Sequence, residues 1–232
     1  MPEVYLIPTV LAEGVTECIP AYAINAVKKC SVFFVENERT VRRYLKQVWK
    51  EMVIDNYEWF NMKEVTDETG NAFRQKIREG KSIGIISEAG CPGVADPGQQ
   101  LVAIAQEQNV TVKPLVGPNS ILLALMASGM NGQQFQFVGY LPIDTAQRVK
   151  AIKTLENESQ QKLCTQIFIE TPYRNNQLLE TLVKTCHPKT KICVAVDLTA
   201  STESVQTKTA QQWKTAMPQL HKRPAIFLLY SG

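Results

Sequence analysis

Seven short apolar runs recur along the chain, each nearly continuous and rich in β-branched residues. They are Val4–Ile7, Val32–Val35, Ile83–Ile86, Val110–Val112, Ile167–Ile169, Ile192–Val196 and Ile226–Tyr230. A strand with one face in water alternates apolar and polar residues. A strand covered on both faces reads as an unbroken apolar run. Segments of helical period lie between several of these runs. Thr40 to Met52 places Val41, Leu45, Val48 and Met52 on one stripe. Thr66 to Arg78 opens with Thr66, Asp67 and Glu68 and stops before Gly80, as helix start and stop signals require. Arg174 to Cys186 puts Leu178, Leu179, Leu182 and Val183 on one face. Alternating strands and helices predict an α/β fold built on a largely parallel sheet.

At 232 residues the chain can form one large domain or two small ones. The best boundary is Lys113–Pro118, KPLVGP, where two prolines and a glycine interrupt the pattern and a new helix follows from Asn119. The reading is two α/β lobes, residues 1–115 and 116–232. Hydrophobic residues at 44% and charged residues at 20% exclude wholesale disorder. No run approaches the roughly 18 apolar residues of a membrane span. The N-terminus reads as a strand rather than a signal peptide. The six cysteines have no CxxC spacing and read as reduced thiols of a cytoplasmic protein. His187 and His221 have no second ligand at metal spacing, so no metal site is expected. Charge is uneven. Residues 1–142 hold 13 Lys and Arg against 15 Asp and Glu, whereas residues 143–232 hold 12 against 7. The basic C-terminal part suits an anionic partner or a solvated surface.

Four segments carry the candidate chemistry. Ser87–Gly98, SEAGCPGVADPG, follows one strand and precedes a helix near Gln99. Ligands of open α/β sheets bind beyond the carboxyl ends of strands. Its glycines permit close backbone approach, and Glu88 and Asp96 supply acceptors for a ribose hydroxyl or an ammonium. Val116–Ser120, VGPNS, opens a helix whose free N–H groups suit capping or a ligand oxygen. Val32–Thr40, VFFVENERT, sets Glu36, Asn37 and Arg39 at a strand end, with Arg39, Arg43, Lys46 and Lys50 in helical register behind. That register reads as a solvated face or a phosphate-contacting stripe. Ile167–Arg174, IFIETPYR, places Glu170, Thr171, Pro172 and Arg174 at another strand end, and Asp197 follows Val196 in the same way. There is no GxGxxG after the first strand, no P-loop, no GxSxG and no HExxH, which removes support for kinase and hydrolase chemistry.

In this order, the four segments resemble the tetrapyrrole-methylase superfamily of S-adenosylmethionine-dependent methyltransferases. They are most similar to its ribosomal small-subunit methyltransferase I branch, which methylates a cytidine 2′-hydroxyl in 16S rRNA. SEAGCPGVADPG stands where members read SDAGTPxxSDPG. VGPNSILLALMASGM stands for PGPSA and an ALxxSGL helix, FVGYLP for FxGFLP, VENER for AEDTR and IETPYR for YESPHR. The match runs from Tyr5 to about Glu203.

The resemblance implies two α/β lobes with S-adenosyl-L-methionine cupped between them, usually in a homodimer, and a 16S rRNA partner in the small ribosomal subunit. By motif, Glu88, Ala89, Gly90, Val94, Ala95 and Asp96 would line the cofactor, joined by Asn119 and Ser120 and then by Leu141, Thr171, Pro224 and Ala225. Glu36, Glu170 and Asp197 are the candidates to orient the acceptor hydroxyl or take its proton. Arg39 and Arg174 are candidates for phosphate. Two stretches depart from the branch. TVLAEGVTECIP replaces TPIGNLxDIT after the first strand, and the closing RPAIFLLYSG lacks the usual Gly-Glu and resembles small-molecule members. The alternatives are therefore the same cofactor with a tetrapyrrole or other small acceptor, or a non-catalytic RNA-binding relative.

Overall fold

A computed structural model describes residues 2–232. The chain forms two compact units, one ending at Asn119 and the other spanning Ser120–Gly232. In the first, strands β1 (Glu3–Leu6), β2 (Val32–Val35), β3 (Glu58–Asn61), β4 (Ile83–Ile86) and β5 (Thr111–Pro114) form one sheet in the order β3-β2-β4-β1-β5. Every pairing is parallel. Helices α1 (Ala21–Val27), α2 (Glu38–Val48), α3 (Asp67–Arg78) and α4 (Gly98–Glu107) supply the crossovers. Successive strand residues point to opposite faces. Thus Phe33 and Val35 join Val41, Tyr44 and Leu45 on one side. Val32 and Phe34 join Phe73, Leu101 and Ile104 on the other. Burial on both faces accounts for the unbroken apolar spelling. The stripe expected over Thr40–Met52 is shorter than its spacing suggests. Asn37 caps α2 by accepting from Thr40 N at 3.2 Å, the helix stops at Val48, and Met52 is buried beyond it.

The second unit corrects the expectation of a largely parallel sheet. It contains α5 (Ser120–Ser128), β6 (Phe135–Tyr140), α6 (Thr145–Lys162), β7 (Thr165–Ile169), α7 (Asn175–Thr185), β8 (Lys191–Val196), β9 (Ser204–Thr209), α8 (Ala210–Trp213) and β10 (Ala225–Tyr230). Strand order is β6-β7-β10-β8-β9. Only β6 and β7 run parallel, while β10 runs antiparallel to both β7 and β8. Phe168, Val194, Phe227 and Leu229 pack with Ile152, Leu155, Leu178 and Leu182 into one core. Among the described residues, no helix is long and apolar enough to cross a membrane.

Candidate functional site

In the first unit, register brings the site residues together. Val35 pairs with Ile86, so Glu36 and Ser87 leave the sheet side by side. Glu36 Oε2 accepts from the Glu88 backbone N–H at 2.8 Å, and Asn37 Nδ2 donates to Glu88 Oε1 at 3.4 Å. Gly90 has φ +75°, and a Cβ there would meet Leu11 and the Pro118 carbonyl at 3.2 Å. Ala95 holds φ 61° with no glycine to ease it, a left-handed strain of the kind that collects at functional loops. Asp96 spans the turn. Its Oδ2 accepts from Gly93 N at 2.8 Å and its Oδ1 from Gly98 N at 2.7 Å. Burial raises the Asp96 carboxyl above its usual range, against the pull of these two bonds. Asp96 therefore shapes the loop from inside, while Glu88, Ala89, Val94 and Ala95 are exposed.

Two further loops close on this one. Thr9 N donates to Gly90 O at 2.9 Å and Thr9 Oγ1 to Ser87 O at 3.4 Å. Cys91 Sγ lies 3.5 Å from Gly117 O and 3.4 Å from Pro118 O, which sets the VGPN segment, with Asn119, beside the Gly/Asp loop. A Cβ at Gly117 would fall 2.1 Å from Pro8 Cβ, so only glycine fits there.

The second unit gathers its residues by a different route. Because β10 runs antiparallel to β7 and β8, its first residues meet their last ones, with Ile226 opposite Ile169 and Ala225 opposite Val196. Pro224, Ala225, Glu170, Thr171 and Asp197 thus share one sheet edge. Lys222 N donates to Pro172 O at 3.0 Å, Asn175 Nδ2 to Arg223 O at 2.6 Å and Asp197 N to Pro224 O at 3.0 Å. Leu141 arrives through a bulge. Phe137 pairs with Ile167 and Tyr140 with Ile169, so Val138 and Gly139 together oppose Phe168. Gly139 takes the positive φ of 71°. The glycine of FVGYLP therefore turns the edge strand toward the site.

Both carboxylates on this edge are held by arginines. Glu170 is buried, and its Oε1 accepts from Arg174 and from Thr171 N, each at 2.6 Å. Burial pushes its carboxyl up, but the Arg174 and Thr171 bonds and the Arg174 and Arg148 charges hold it below the usual carboxylate range. Asp197 Oδ2 accepts from Arg223 Nε and from Thr202 Oγ1, each at 2.8 Å. The basic stripe behind Glu36 is partly spent. Arg43 faces Glu13 at 3.2 Å, Lys46 donates to the Lys50 and Met52 carbonyls, and Lys50 lies past the helix end. Arg39 is exposed and has no ion pair among the described residues.

The family model for Tetrapyrrole (Corrin/Porphyrin) Methylases matches residues 14–213. The chain belongs to that family. Among the curated relatives of this tetrapyrrole methylase is "Ribosomal RNA small subunit methyltransferase I" of Halalkalibacterium halodurans, 30% identical over 77% of this chain and 58% of that protein. The protein of the same name from Mesorhizobium japonicum is 29% identical over 90% of this chain and 67% of its own. The chain thus spans little more than half to two thirds of their length. "Uroporphyrin-III C-methyl transferase from Thermus thermophilus complexed with S-adenyl homocysteine" shares the fold, with TM-score 0.59, 15% identity and coverage of 98% and 97% of the two chains.

The methylase's first loop forms a wall of a cavity of about 240 Å³ within the first unit. Val10, Leu11 and Gly14 face Thr40, Tyr44 and Gln47 there, with Glu88 and Ala89 alongside. Tyr44 Oη donates to Pro8 O at 2.9 Å and fixes the loop's root. Sequence reading missed three residues that organise these edges: Thr9, Arg148 and Arg223. Thr9 and Arg223 open the segments TVLAEGVTECIP and RPAIFLLYSG, and that position was their signal. Arg148 reads as one polar residue among many on α6.

Proposed function

We propose that this tetrapyrrole methylase is an S-adenosylmethionine-dependent methyltransferase acting on a cytidine ribose 2′-hydroxyl of 16S rRNA, as a cytoplasmic homodimer. The observation that carries the reading is the preformed Ser87–Gly98 loop. Held from within by Asp96 and from the side by Glu36, it leaves Glu88, Ala89, Val94 and Ala95 open at a strand end. Such a cradle fits an adenosyl group, with the Glu88 carboxylate free to take ribose hydroxyls through its second oxygen. Gly90, Asp96 and Asn119 are assigned to the same cofactor, as are Ser120, Leu141, Thr171, Pro224 and Ala225 of the second unit. The rRNA acceptor is supported by the names of the curated relatives.

When bound, the cofactor supplies a methyl group already activated on a sulfonium. The chain's own residues then have to orient the acceptor, and proximity of this kind is worth roughly 7–11 kcal/mol. Glu36 is assigned that role, because Glu170 and Asp197 are engaged by arginines and are read as positioning residues. Arg39 is assigned to backbone phosphate because it is exposed and cationic. Arg174 holds Glu170 with one terminal nitrogen and is assigned to phosphate with the other, its Nε being buried. A second reading keeps the cofactor and changes the acceptor to a small molecule. It is favoured by the cavity walled by Val10–Gly14, the loop that departs from the rRNA branch.

The test is transfer of labelled methyl from S-adenosylmethionine to 30S subunits lacking 16S ribose methylation. Label on one cytidine 2′-oxygen is the expected result. S-adenosylhomocysteine at about 100 times its dissociation constant is expected to stabilise the fold by about 2.7 kcal/mol. Stabilisation without label on RNA would move the acceptor to the small-molecule reading. Absence of both would leave a non-catalytic relative.

A further inference from the structure

Arg148 lies in the first turn of α6 and is 1% exposed. Arginine is almost never fully buried without a partner. Here the partners are backbone. Nε donates to Pro142 O at 3.0 Å and one terminal nitrogen donates to Ile143 O. The other terminal nitrogen is buried with no hydrogen-bond partner among the described residues. Across the strand pair the situation is mirrored. Glu170 spends Oε1 on Thr171 and Arg174, and its Oε2 is buried without a hydrogen-bond partner among the described residues. Tyr140 pairs with Ile169, so Leu141–Ile143 and Glu170–Thr171 are adjacent continuations of paired strands. The orphans are a cationic donor and an anionic acceptor. A buried charge persists only where opposite charge offsets its lost hydration. The Arg148 charge is among those that hold the Glu170 carboxyl low.

We propose that Arg148 is a positioning residue. It clamps the Pro142–Ile143 turn through two carbonyls and couples that turn, through its charge, to the Glu170–Arg174 pair. Leu141 and Thr171 then keep one fixed spacing before any ligand arrives. The coupling itself is independent of function. Its consequence for an adenosyl ligand rests on the methyltransferase reading.

The test uses the whole chain as Arg148→Lys and Glu170→Gln, with amide hydrogen exchange and calorimetric titration of S-adenosylhomocysteine. Each variant is expected to speed exchange in both segments, residues 140–148 and 169–175, including the one it does not touch. Each is also expected to weaken the ligand by about tenfold or more. Loss of protection confined to the altered segment overturns the coupling. Coupled loosening with unchanged affinity overturns the positioning role. Should Arg148→Lys fail to fold, Glu170→Gln carries the decision through residues 140–148, which it leaves chemically intact. A wild-type chain that binds no S-adenosylhomocysteine would sink the methyltransferase reading, while the exchange data would still decide the coupling.

Discussion

The two units solve one problem in different materials. Each must deliver polar residues to one end of its sheet and hold them there. The first unit has five parallel strands, so every strand end points the same way. It fixes its loops with backbone geometry: glycine at 90 and 117, a left-handed Ala95, and carboxylates that accept from backbone N–H groups. The second unit reverses β10 and ties its ends with carboxylate–arginine pairs, Glu170 with Arg174 and Asp197 with Arg223. It also carries the chain's excess of positive charge. Rigidity from steric fit and rigidity from ion pairing should respond differently to mutation, pH and salt.

The largest expected effect is in the first unit. Gly117→Val places a side chain inside the Pro8 ring and should cost about 3 kcal/mol or more in chemical denaturation. A cost below about 1 kcal/mol would mean the steric account is wrong. Next is Arg148→Met in the second unit. It strands two carbonyls and removes one of the charges that hold the Glu170 carboxylate, and should cost about 2–3 kcal/mol by the same measurement.

The pH response is the sharpest contrast, because the signs are opposite. Burial raises the folded Asp96 pKa above its unfolded value, so its contribution to stability grows as pH falls through that raised pKa. The folded Glu170 pKa lies below its unfolded value. Its contribution is complete above the usual glutamate range and is lost as pH falls through the lowered pKa. Followed from pH 7 down to about pH 3, the stability of Asp96→Asn should fall relative to wild type, whereas the deficit of Glu170→Gln should shrink. Parallel curves would erase the distinction. The smallest effect belongs to Glu13→Gln. Its pair with Arg43 is exposed on both sides, so stability should move by less than about 0.5 kcal/mol. A larger change would show that the first loop leans on this pair.

How well each region could be read from sequence follows from its burial. β2 and β4 are buried at every position and spell themselves as apolar runs. The edge strands β3, β6 and β9 are half exposed. EWFN, FQFVGY and SVQTKT show too little pattern to stand out. The direction of β10 could not be read either, since an apolar run has the same spelling in both orientations. Among site residues, the placement of Glu36, Glu170 and Asp197 at strand ends followed from the runs before them. Their partners did not. Nothing local to Glu36 points to an amide 52 residues away, and nothing in TAQRVK distinguishes the buried Arg148 from its exposed neighbours.

The position of β10 also bears on how the protein is made. It follows every other strand of its sheet in sequence, yet it sits in the middle of them. While the chain emerges from the ribosome, β7 and β8 therefore wait as two separate pieces with open inner edges. The earlier unit, by contrast, can finish its sheet once β5 has appeared. Open edges are templates for pairing with other chains, so the interval before β10 arrives is when this protein is most exposed to misassembly.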